Sequence, residues 1–570
     1  MIAERLIALY ERVAEAPDAV VRLRQLILDL AVRGKLVLQD LSEGSGAELR
    51  AQIAIEKAKM VKARLIRAGQ TSSDISAGNL PALPPSWAWT TLGAIGDWGA
   101  GSTPSRSESG AYGGGYTWLK SGELGDRIGL VGSEETLTKE AIANGSFRIN
   151  RPGDVLIAMY GATIGKLAIL GEEAVTNQAV CGCTPFPGVF NRYLFYFLLA
   201  QRSAFHAASE GGAQPNISKV KIVSTPFPLP PTAEQRRIVA KVDELMALLD
   251  RLEAARHARE ATRDRLAAAT LARLTAPDAS AEDATNNARF ALQTLPALTT
   301  RPDQIKALRQ TILNLAVRGR LVEQEPADEP ASSELSKALK LKLEHDLYRP
   351  KKVAAIADSE KWCTTPKGWC WTRWDQITNW ITYGFTRPME HVEKGVPIVT
   401  GKNVNEGRII LETASLTPQS AFDALNEKDK PQPGDILITK DGSIGRVAIV
   451  SDVHLPFCIN QSVAVMWLRS CHFDRKYLKL VLESPQTQDV LQEKTAGVAI
   501  KHISITDLGK MVFPLPPLSE QHRIVAKVEA LMALCDQLEA ALTTTNTTRT
   551  RLLEALLHEA LAPAELEKAA

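Results

Sequence analysis

Two long segments of this chain occur twice, almost unchanged. Residues 23–37 (LRQLILDLAVRGKLV) return at 308–322 with 12 of 15 positions identical, and residues 227–254 return at 513–540 with 21 of 28 identical. The offsets of 285 and 286 residues far exceed the period of a solenoid, which is about 20 to 50 residues. The sequence therefore predicts a duplicated domain pair with two similar sites related by an approximate two-fold axis.

The repeated segments have the apolar spacing of helices. Over residues 238–252 the apolar positions alternate at intervals of four and three, which is the seam of packed long helices. Gly34 and Gly319 stand where a helix C-cap belongs. Thr232 and Ser519 follow prolines and stand where an N-cap belongs. We therefore predict a helical frame that is built twice.

Two globular segments, residues 79–230 (the first head) and 361–516 (the second head), lie between the predicted helices. Both contain short apolar runs broken by Gly and Pro, such as PGDVLIAMYGATIGK from Pro152 and PGDILITKDGSIGR from Pro433. This pattern predicts turn-linked strands of a mixed α/β domain. Residues 275–302, rich in Ala, Thr, Asn and Pro, predict a linker between the copies. Since the helices match closely and the heads match only in phrases, we predict one shared frame with two different heads.

Composition limits the possible environments and partners of the chain. No apolar run approaches the roughly 18 to 20 residues of a membrane span, and the seven cysteines contain no CxxC pair. These features predict a cytoplasmic protein with reduced thiols, no membrane association and no metal site. The net charge is +2, and Lys plus Arg against Asp plus Glu number 11 and 11 in the first head and 18 and 16 in the second. Any polyanion site must therefore be a local patch, or a partner must supply charge.

The repeated motifs together resemble one known family. The segment LRQLILDLAVRGKLV, the phrase PPSWAWTTLG from Pro84, the PGD phrases and FPLPPTAEQRRIVAKVDELM, each with a counterpart in the same order, resemble the specificity subunit of type I restriction-modification enzymes. The resemblance covers essentially the whole chain. It implies an α+β fold, with two mixed α/β target-recognition domains separated by long antiparallel coiled-coil helices in a pseudo-two-fold, circular repeat. The implied domains are an N-terminal helical region (1–78), the first target-recognition domain (79–230), a central helical spacer and linker (231–360), the second target-recognition domain (361–516) and a C-terminal helical region (517–570).

The resemblance also implies a function and partners. Each target-recognition domain would bind one half of a bipartite, asymmetric site on double-stranded DNA, with the halves about one helical turn (~34 Å) apart. The helical regions would dock two modification (methyltransferase) subunits, and restriction (motor and nuclease) subunits would join for cleavage. Adenine would be methylated at N6 with S-adenosylmethionine held by the modification partner, while ATP and Mg would belong to the restriction partner.

The chain lacks motifs that would make it the catalyst. An amino-methyltransferase needs Asn or Asp before Pro-Pro and an aromatic residue to hold an extruded base, whereas the Pro-Pro pairs here read LPPS, LPPT and LPPL. The phosphate loop GxxxxGK[ST] is also missing from the sequence. We therefore predict a non-enzymatic chain with no catalytic residue and no cofactor of its own.

Candidate DNA contacts come from loops that combine glycine, hydroxyl, amide and basic residues. Exposed amides and hydroxyls suit phosphate oxygens, Arg and Lys suit phosphates or guanine, and Asn and Gln suit adenine. In the first head the candidates are Ser102, Thr103, Arg106, Lys120, Tyr160, Lys166, Asn177, Gln178, Lys219 and Lys221. In the second head they are Thr386, Arg387, Lys402, Asn403, Lys440, Arg446, Asn460, Gln461, Lys501 and His502.

Other interpretations of the same residues stay open. The loops fit ordinary solvated hairpins, the Asn-Gln pairs fit buried amides that cap a strand, and the late lysines fit residues that close each domain. The whole chain also fits a coiled-coil scaffold without direct DNA reading, or a self-contained DNA methyltransferase or nuclease. A near-neutral head predicts weak DNA binding without partners, so gel shifts on the isolated chain do not discriminate between these functions.

Overall fold

The chain forms two compact units that share two long helices. The computed structural model describes residues 16, 18–66, 80–106, 110–209, 216–275, 281–344, 355–469, 472–493 and 502–561. The first unit comprises Met1–Ala258 with Asn546–Ala570, and the second comprises Arg259–Thr545. Each unit contains the beginning of one 44-residue helix and the end of the other. Among the described residues, no helix has both the length and the apolarity needed to span a bilayer.

The first unit contains the first head and part of the helical frame. In chain order its elements are α1 (Ala19–Val32), α2 (Gly46–Lys62), β1 (Ala88–Thr91), β2 (Gly96–Ala100), β3 (Tyr112–Leu119), β4 (Arg127–Leu130), β5 (Glu135–Leu137), α3 (Lys139–Asn144), β6 (Val155–Ala158), β7 (Leu167–Leu170), β8 (Val175–Thr176), β9 (Val180–Pro185), α4 (Asn191–Ala200), α5 (Arg202–Ser209), α6 (Lys219–Val223), β10 (Pro226–Leu229) and the beginning of α7 (Thr232–Thr275).

The described strands of the first head form three sheets. The largest has the strand order β2-β9-β6-β7-β4 and is antiparallel except for the β7-β4 pair. A second sheet has the order β5-β3-β8, in which β3 and β8 are parallel. Strands β1 and β10 form an antiparallel pair with Ala88 opposite Leu229. The first and last strands of the head therefore lie side by side, where the head joins the frame.

The second unit repeats this plan with the second head. Its elements are the end of α7, then α8 (Ala281–Leu298), α9 (Pro302–Val317), α10 (Ala331–Glu344), β11 (Cys370–Arg373), α11 (Trp374–Ile377), β12 (Trp380–Tyr383), β13 (Val396–Val399), β14 (Val404–Asn405), β15 (Arg408–Ile409), β16 (Ser415–Thr417), α12 (Gln419–Asp423), β17 (Ile436–Thr439), β18 (Val447–Ile449), β19 (Cys458–Ile459), β20 (Val463–Trp467), α13 (Arg475–Glu483), α14 (Pro485–Glu493), α15 (Ile505–Lys510), β21 (Val512–Leu515) and the beginning of α16 (Leu518–Leu561).

The two heads have the same strand arrangement. The sheet β12-β20-β17-β18 repeats the order β2-β9-β6-β7, and the sheet β16-β13-β19 repeats β5-β3-β8 with its parallel pair. Strands β11 and β21 pair as β1 and β10 do, with Cys370 opposite Leu515. The heads differ at one side, where the first has strand β4 and the second has the hairpin β14-β15. The α+β prediction is confirmed, and the heads share a fold that the sequence indicated only in phrases.

The glutamine of the repeated Glu-Gln pair fastens each head to its long helix. Gln235 and Gln521 are completely buried. The Gln235 side chain accepts from Phe190 N at 2.7 Å and donates to Pro230 O at 3.0 Å. Gln521 accepts from Asp474 N and donates to Pro516 O, both at 2.9 Å. These bonds satisfy buried backbone groups, and the glutamine has the same role in both copies of the repeat.

A repeated ion-pair fork joins the shorter frame helices to the long ones. In the first unit, Arg24 Nη2 lies 2.6 Å from Asp250 and 3.1 Å from Glu253. In the second unit, Arg309 lies 2.7 Å from both Asp536 and Glu539. The two forks connect corresponding positions of the repeat. The sequence repeat therefore corresponds to the same helix packing in both units.

The predicted N-caps of the two long helices were wrong. Helix α7 begins at Thr232 and α16 at Leu518, so Thr232 and Ser519 are helical residues and not N-caps. The oxygens of the preceding prolines, Pro231 and Pro517, accept the first i to i+4 bonds instead, so these prolines occupy the N-cap positions.

The expected linker at 275–302 contains helix α8. Its Ala291 is buried in a cluster with Leu315 of α9 and with Ala267 and Leu271 of α7. Packing on the frame therefore stabilises a helix whose composition resembles that of a linker.

The predicted glycine C-caps are confirmed. Gly34 has φ 66° and Gly319 has φ 69°, both in the left-handed region that favours glycine. A Cβ added at Gly319 would contact Pro366 and would lie 2.9 Å from Trp369 Cζ2. The end of α9 therefore packs too closely on the opening of the second head to accept a side chain.

We expect Gly319→Ala to destabilise the second unit by about 2 kcal/mol, because it combines left-handed strain with steric overlap. Calorimetric unfolding of the full chain measures this change. Gly122→Ala is the control, since Gly122 lacks a positive φ and an added Cβ there meets nothing within 4 Å. Equal shifts in the two variants would contradict the assigned role of Gly319.

Candidate nucleic-acid interface

Loops that are distant in sequence meet at one end of the main sheet of the first head. Gly101 N donates to Val180 O at 3.0 Å, and Met159 N donates to Ala179 O at 2.8 Å. Ile217 N in turn donates to Met159 O at 3.0 Å. We call this surface the first loop edge, and define it as residues 101–106, 120, 159–166, 177–178 and 216–221.

The second head has an equivalent surface. Gln461 N donates to Phe385 O and Lys440 N donates to Ser462 O, both at 2.9 Å. Ile503 N donates to Lys440 O at 3.0 Å, as Ile217 N does to Met159 O. We call this surface the second loop edge, and define it as residues 385–387, 400–403, 440–446, 460–462 and 502–503.

Matching backbone bonds align the two loop edges residue by residue. Isolated bridges join Tyr160 to Asn216 in the first edge and Asp441 to His502 in the second. The resulting equivalent pairs are Thr103 with Thr386, Lys120 with Thr400, Tyr160 with Asp441, Lys166 with Arg446, Asn177 with Asn460, Gln178 with Gln461, and Asn216 with His502. Some pairs are identical and others differ in charge, so a common backbone presents two different surfaces.

Polar candidates of the first loop edge fall into two groups. Tyr160 and Gln178 are exposed, and Thr103 Oγ1 donates to the Gln178 amide oxygen. Ser102 Oγ donates to Ser146 O at 3.1 Å, so this side chain braces the loop. Asn177 is half-buried, and its Oδ1 has no hydrogen-bond partner among the described residues. Thr103, Tyr160 and Gln178 are therefore the side chains best placed to contact a ligand.

Two basic candidates of the first loop edge share one carboxylate. Arg106 lies 2.9 Å and Lys120 2.8 Å from Glu135, and Arg106 also lies over the Tyr112 ring at 4.6 Å. Hydrogen bonds from Arg106 and then Lys120 lower the pKa of Glu135 to about 2. The carboxylate is therefore ionised at neutral pH and competes with any anionic ligand for these two cations.

The remaining cations of the first loop edge differ in availability. Lys166 is half-buried and Lys219 is exposed, and neither side chain has an ion pair within the described part of the chain. Lys221 Nζ donates to Ala208 O at 2.7 Å, which ties α6 to the end of α5. Lys166 and Lys219 are thus the cations most available to a phosphate.

The second loop edge exposes several unpaired candidates. Thr386, Arg387, Lys402 and Gln461 are exposed, and their side chains make no hydrogen bond or ion pair with any described residue. By contrast, Asn460 Oδ1 accepts from Ser462 Oγ at 2.6 Å. The four exposed side chains provide one hydroxyl, one amide and two cations, a set suited to nucleic acid.

Two candidates of the second head lie within its framework. Asn403 is 3% exposed; its Oδ1 accepts from Thr400 N at 3.0 Å and its Nδ2 donates to Ile410 O at 3.2 Å. This amide closes its own loop, so we leave Asn403 out of the proposed interface. Arg446 Nη1 reaches Val404 O at 3.5 Å, and Arg446 is half-buried.

A charged cluster completes the second loop edge. The Lys440 side chain is 7% exposed, and its Nζ lies 3.2 Å from Asp441 Oδ2 and 5.0 Å from the centre of the Tyr383 ring. His502 is exposed, and its Nδ1 lies 2.5 Å from Asp441 Oδ1. The predicted contact Lys501 lies outside the described residues. Asp441 was missed by the sequence analysis, because a carboxylate is not an expected neighbour of DNA.

No sequence motif predicted the residues that hold the glycine turns. Arg202 Nε donates to Gly165 O and Gln488 Nε2 donates to Gly445 O, both at 2.9 Å. Arg202 Nη2 additionally lies 2.5 Å from Asp126 Oδ1. No local pattern indicates these contacts, since the partners lie dozens of residues apart in the chain. They give the two turns a fixed shape at the edge of each sheet.

Together, two topologically equivalent loop edges on a repeated helical frame define a two-headed recognition protein. Among the described residues, no group of three or more His, Cys, Asp or Glu side chains could hold a metal ion. A sequence model of the type I restriction modification DNA specificity domain matches residues 84–259 and 389–545, more than half of the chain. The chain therefore belongs to this family.

Individual relatives cover nearly the full length. The chain is 29% identical over 562 residues to the specificity subunit of the type I restriction enzyme EcoAI from Escherichia coli, and this match covers 95% of the chain and 93% of the relative. It is 28% identical over 577 residues to the EcoEI specificity subunit of the same species, with the same coverage. The crystal structure of the HsdS subunit from Thermoanaerobacter tengcongensis matches with 21% identity and a TM-score of 0.43, covering 85% of this chain and 99% of that one.

The family assignment confirms the predicted class of function. The chain is a sequence-specific DNA-recognition subunit that associates with other subunits of a restriction-modification complex, and it is not the catalytic component. The alternatives of a scaffold without DNA reading and of a self-contained enzyme are therefore not favoured.

Proposed function

We propose that this chain reads a bipartite, asymmetric DNA target, one half with each head, and directs partner subunits that methylate adenine at N6 or cleave the DNA. The observation that carries the proposal is the pair of loop edges, which share a backbone and differ in side chains. A shared backbone docks each head on DNA in the same way. Different side chains, such as Tyr160 against Asp441, then favour different base sequences.

Within each head we assign phosphate and base contacts by charge and exposure. Lys166, Lys219, Arg387 and Lys402 are the proposed phosphate contacts, since they have no ion pair within the described residues. Arg106 and Lys120 join them when phosphate oxygens replace Glu135. The proposed base contacts are Thr103, Tyr160, Gln178, Thr386, Gln461 and His502, whose exposed polar groups lie at the two loop edges.

The proposal includes the partners and their cofactors. Two modification subunits dock on the helical frame, one for each copy of the repeat, and hold S-adenosylmethionine; restriction subunits hold ATP and Mg. The chain itself needs no cofactor. Since the Lys plus Arg excess is zero in the first head and two in the second, we expect the partners to supply much of the DNA affinity. We propose 79–230 and 361–516 as the limits of the target-recognition domains.

Methylome sequencing tests this function. We expect co-expression of the chain with its modification subunit to produce N6-methyladenine in one split, asymmetric motif, and expression of either protein alone to produce none. Methylation without a split motif would contradict the proposal. A footprint of the assembled complex separates DNA reading from a scaffold role. S-adenosylmethionine bound to the purified chain would instead favour a self-contained methyltransferase.

A further inference from the structure

The second loop edge contains a carboxylate, Asp441, whose charge is balanced by the buried ammonium of Lys440. The Lys440 side chain is 7% exposed, and its ammonium lies 3.2 Å from Asp441 Oδ2. A buried ammonium needs an anionic or hydrogen-bonding partner, and Asp441 supplies it. A lone carboxylate at this position would repel DNA phosphates, whereas an adjacent buried lysine cancels its charge. The pair can therefore lie at a DNA-binding edge without a net charge.

Asp441 also fixes the hydrogen-bonding role of His502. The His502 Nδ1 lies 2.5 Å from Asp441 Oδ1 and 3.5 Å from Lys440 Nζ. Because an ionised carboxylate can only accept, Nδ1 must carry the hydrogen atom. In a neutral imidazole the other nitrogen, Nε2, is then an acceptor. The His502 side chain is 52% exposed, and its Nε2 makes no hydrogen bond with the described residues.

The first head provides the contrast. Asn216 occupies the position of His502, and Tyr160 occupies that of Asp441. The backbone bond from Ile217 N to Met159 O repeats the bond from Ile503 N to Lys440 O, both at 3.0 Å. The charged cluster is therefore specific to the second head, although the backbone that carries it is common to both.

We propose that His502 determines specificity in the second head by accepting, through Nε2, a hydrogen bond from the exocyclic amino group of an adenine or cytosine. In the major groove these amino groups are donors, while guanine and thymine present acceptors at the equivalent positions. An imidazole acceptor therefore favours amino-bearing bases. Asp441 is a positioning residue that holds the ring and its tautomer, and Lys440 pairs with the other oxygen of Asp441. This inference rests on the proposed function and assigns His502 to a base rather than to a phosphate.

Two substitutions of His502 test this assignment in the full chain, co-expressed with its modification subunit. We expect His502→Ala to relax one adenine or cytosine position, in one half of the methylated motif, by about tenfold. His502→Asn should alter the preference at the same position, and the fold accommodates this residue because Asn216 stands at the equivalent backbone position. Asp441→Asn should weaken the preference at the same position, because its single amide oxygen cannot accept from both Lys440 Nζ and His502 Nδ1.

Lys402→Ala is the matched control, as an exposed cation of the same loop edge. We expect it to lower methylation at all sites to a similar degree while the motif stays the same. An unchanged motif in both His502 variants would overturn the assignment, as would a uniform loss of methylation in both. If the wild-type complex itself yields no split motif, the proposed function fails rather than the role of His502.

Discussion

Replacement of residues 79–230 by the corresponding head of another specificity subunit is expected to change one half of the methylated motif and leave the other half unchanged. The first and last strands of the head, β1 and β10, are adjacent and antiparallel, with Ala88 opposite Leu229. The chain therefore enters and leaves the head at neighbouring points. Its loop edge is held by hydrogen bonds within the head, including Gly101 N to Val180 O. Each mismatched base pair costs about 1 to 3 kcal/mol, so several changed positions abolish methylation of the original half.

The reciprocal exchange of residues 361–516 is the control for this experiment. It should change the other half of the motif and preserve the half that the first exchange altered. Methylome sequencing of both chimeras, each co-expressed with the same modification subunit, provides the measurement. A change of both halves in either chimera would mean that the heads do not read independently.

Substitution of Gln521 by alanine is expected to destabilise the second unit by about 3 kcal/mol or more. The side chain is completely buried, and its loss leaves Asp474 N and Pro516 O without their 2.9 Å partners. Asp474 is also the N-cap of α13, so the disturbance reaches a core helix of the head. The corresponding fall in melting temperature is about 5 °C for a unit of this size.

Arg309→Ala is the control for Gln521→Ala. It removes the fork to Asp536 and Glu539 on the same long helix, yet the side chains of these two residues are 66% and 50% exposed. Such ion pairs contribute about 0 to 1 kcal/mol. Calorimetry of the full chain can separate the units if they unfold in distinct transitions, and Gln235→Ala should then affect the first unit instead. Equal effects of Gln521→Ala and Arg309→Ala would contradict the anchoring role.

The sequence predicted the frame well because its signals are local. The glycine C-caps at Gly34 and Gly319 and the apolar seam of the long helices depend on spacing within a few turns. The error at Thr232 and Ser519 was one of position, since the N-cap falls on Pro231, one residue earlier, and on Pro517, two residues earlier. Helix α8 was missed because its stability depends on packing of Ala291 against Leu315.

The loop edges were predictable as a set of loops but not as a surface. Residue type and loop position selected exposed side chains such as Gln178 and Gln461, and they also selected Asn403, which is buried. Whether an amide is buried depends on strands that pair across long sequence distances. No short motif of the sequence encodes this pairing. The same limit concealed Asp441, whose contacts with His502 and Lys440 become evident only when the sheet has formed.

The division of the chain determines the order in which its parts can be completed during synthesis. The second unit is continuous, from Arg259 to Thr545, whereas the first unit also requires Asn546–Ala570. Leu553, from that last segment, is buried in the same core as Leu245 and Leu249. The unit that begins to leave the ribosome first is therefore completed last, and the loss of residues 546–561 damages the unit at the opposite end of the sequence.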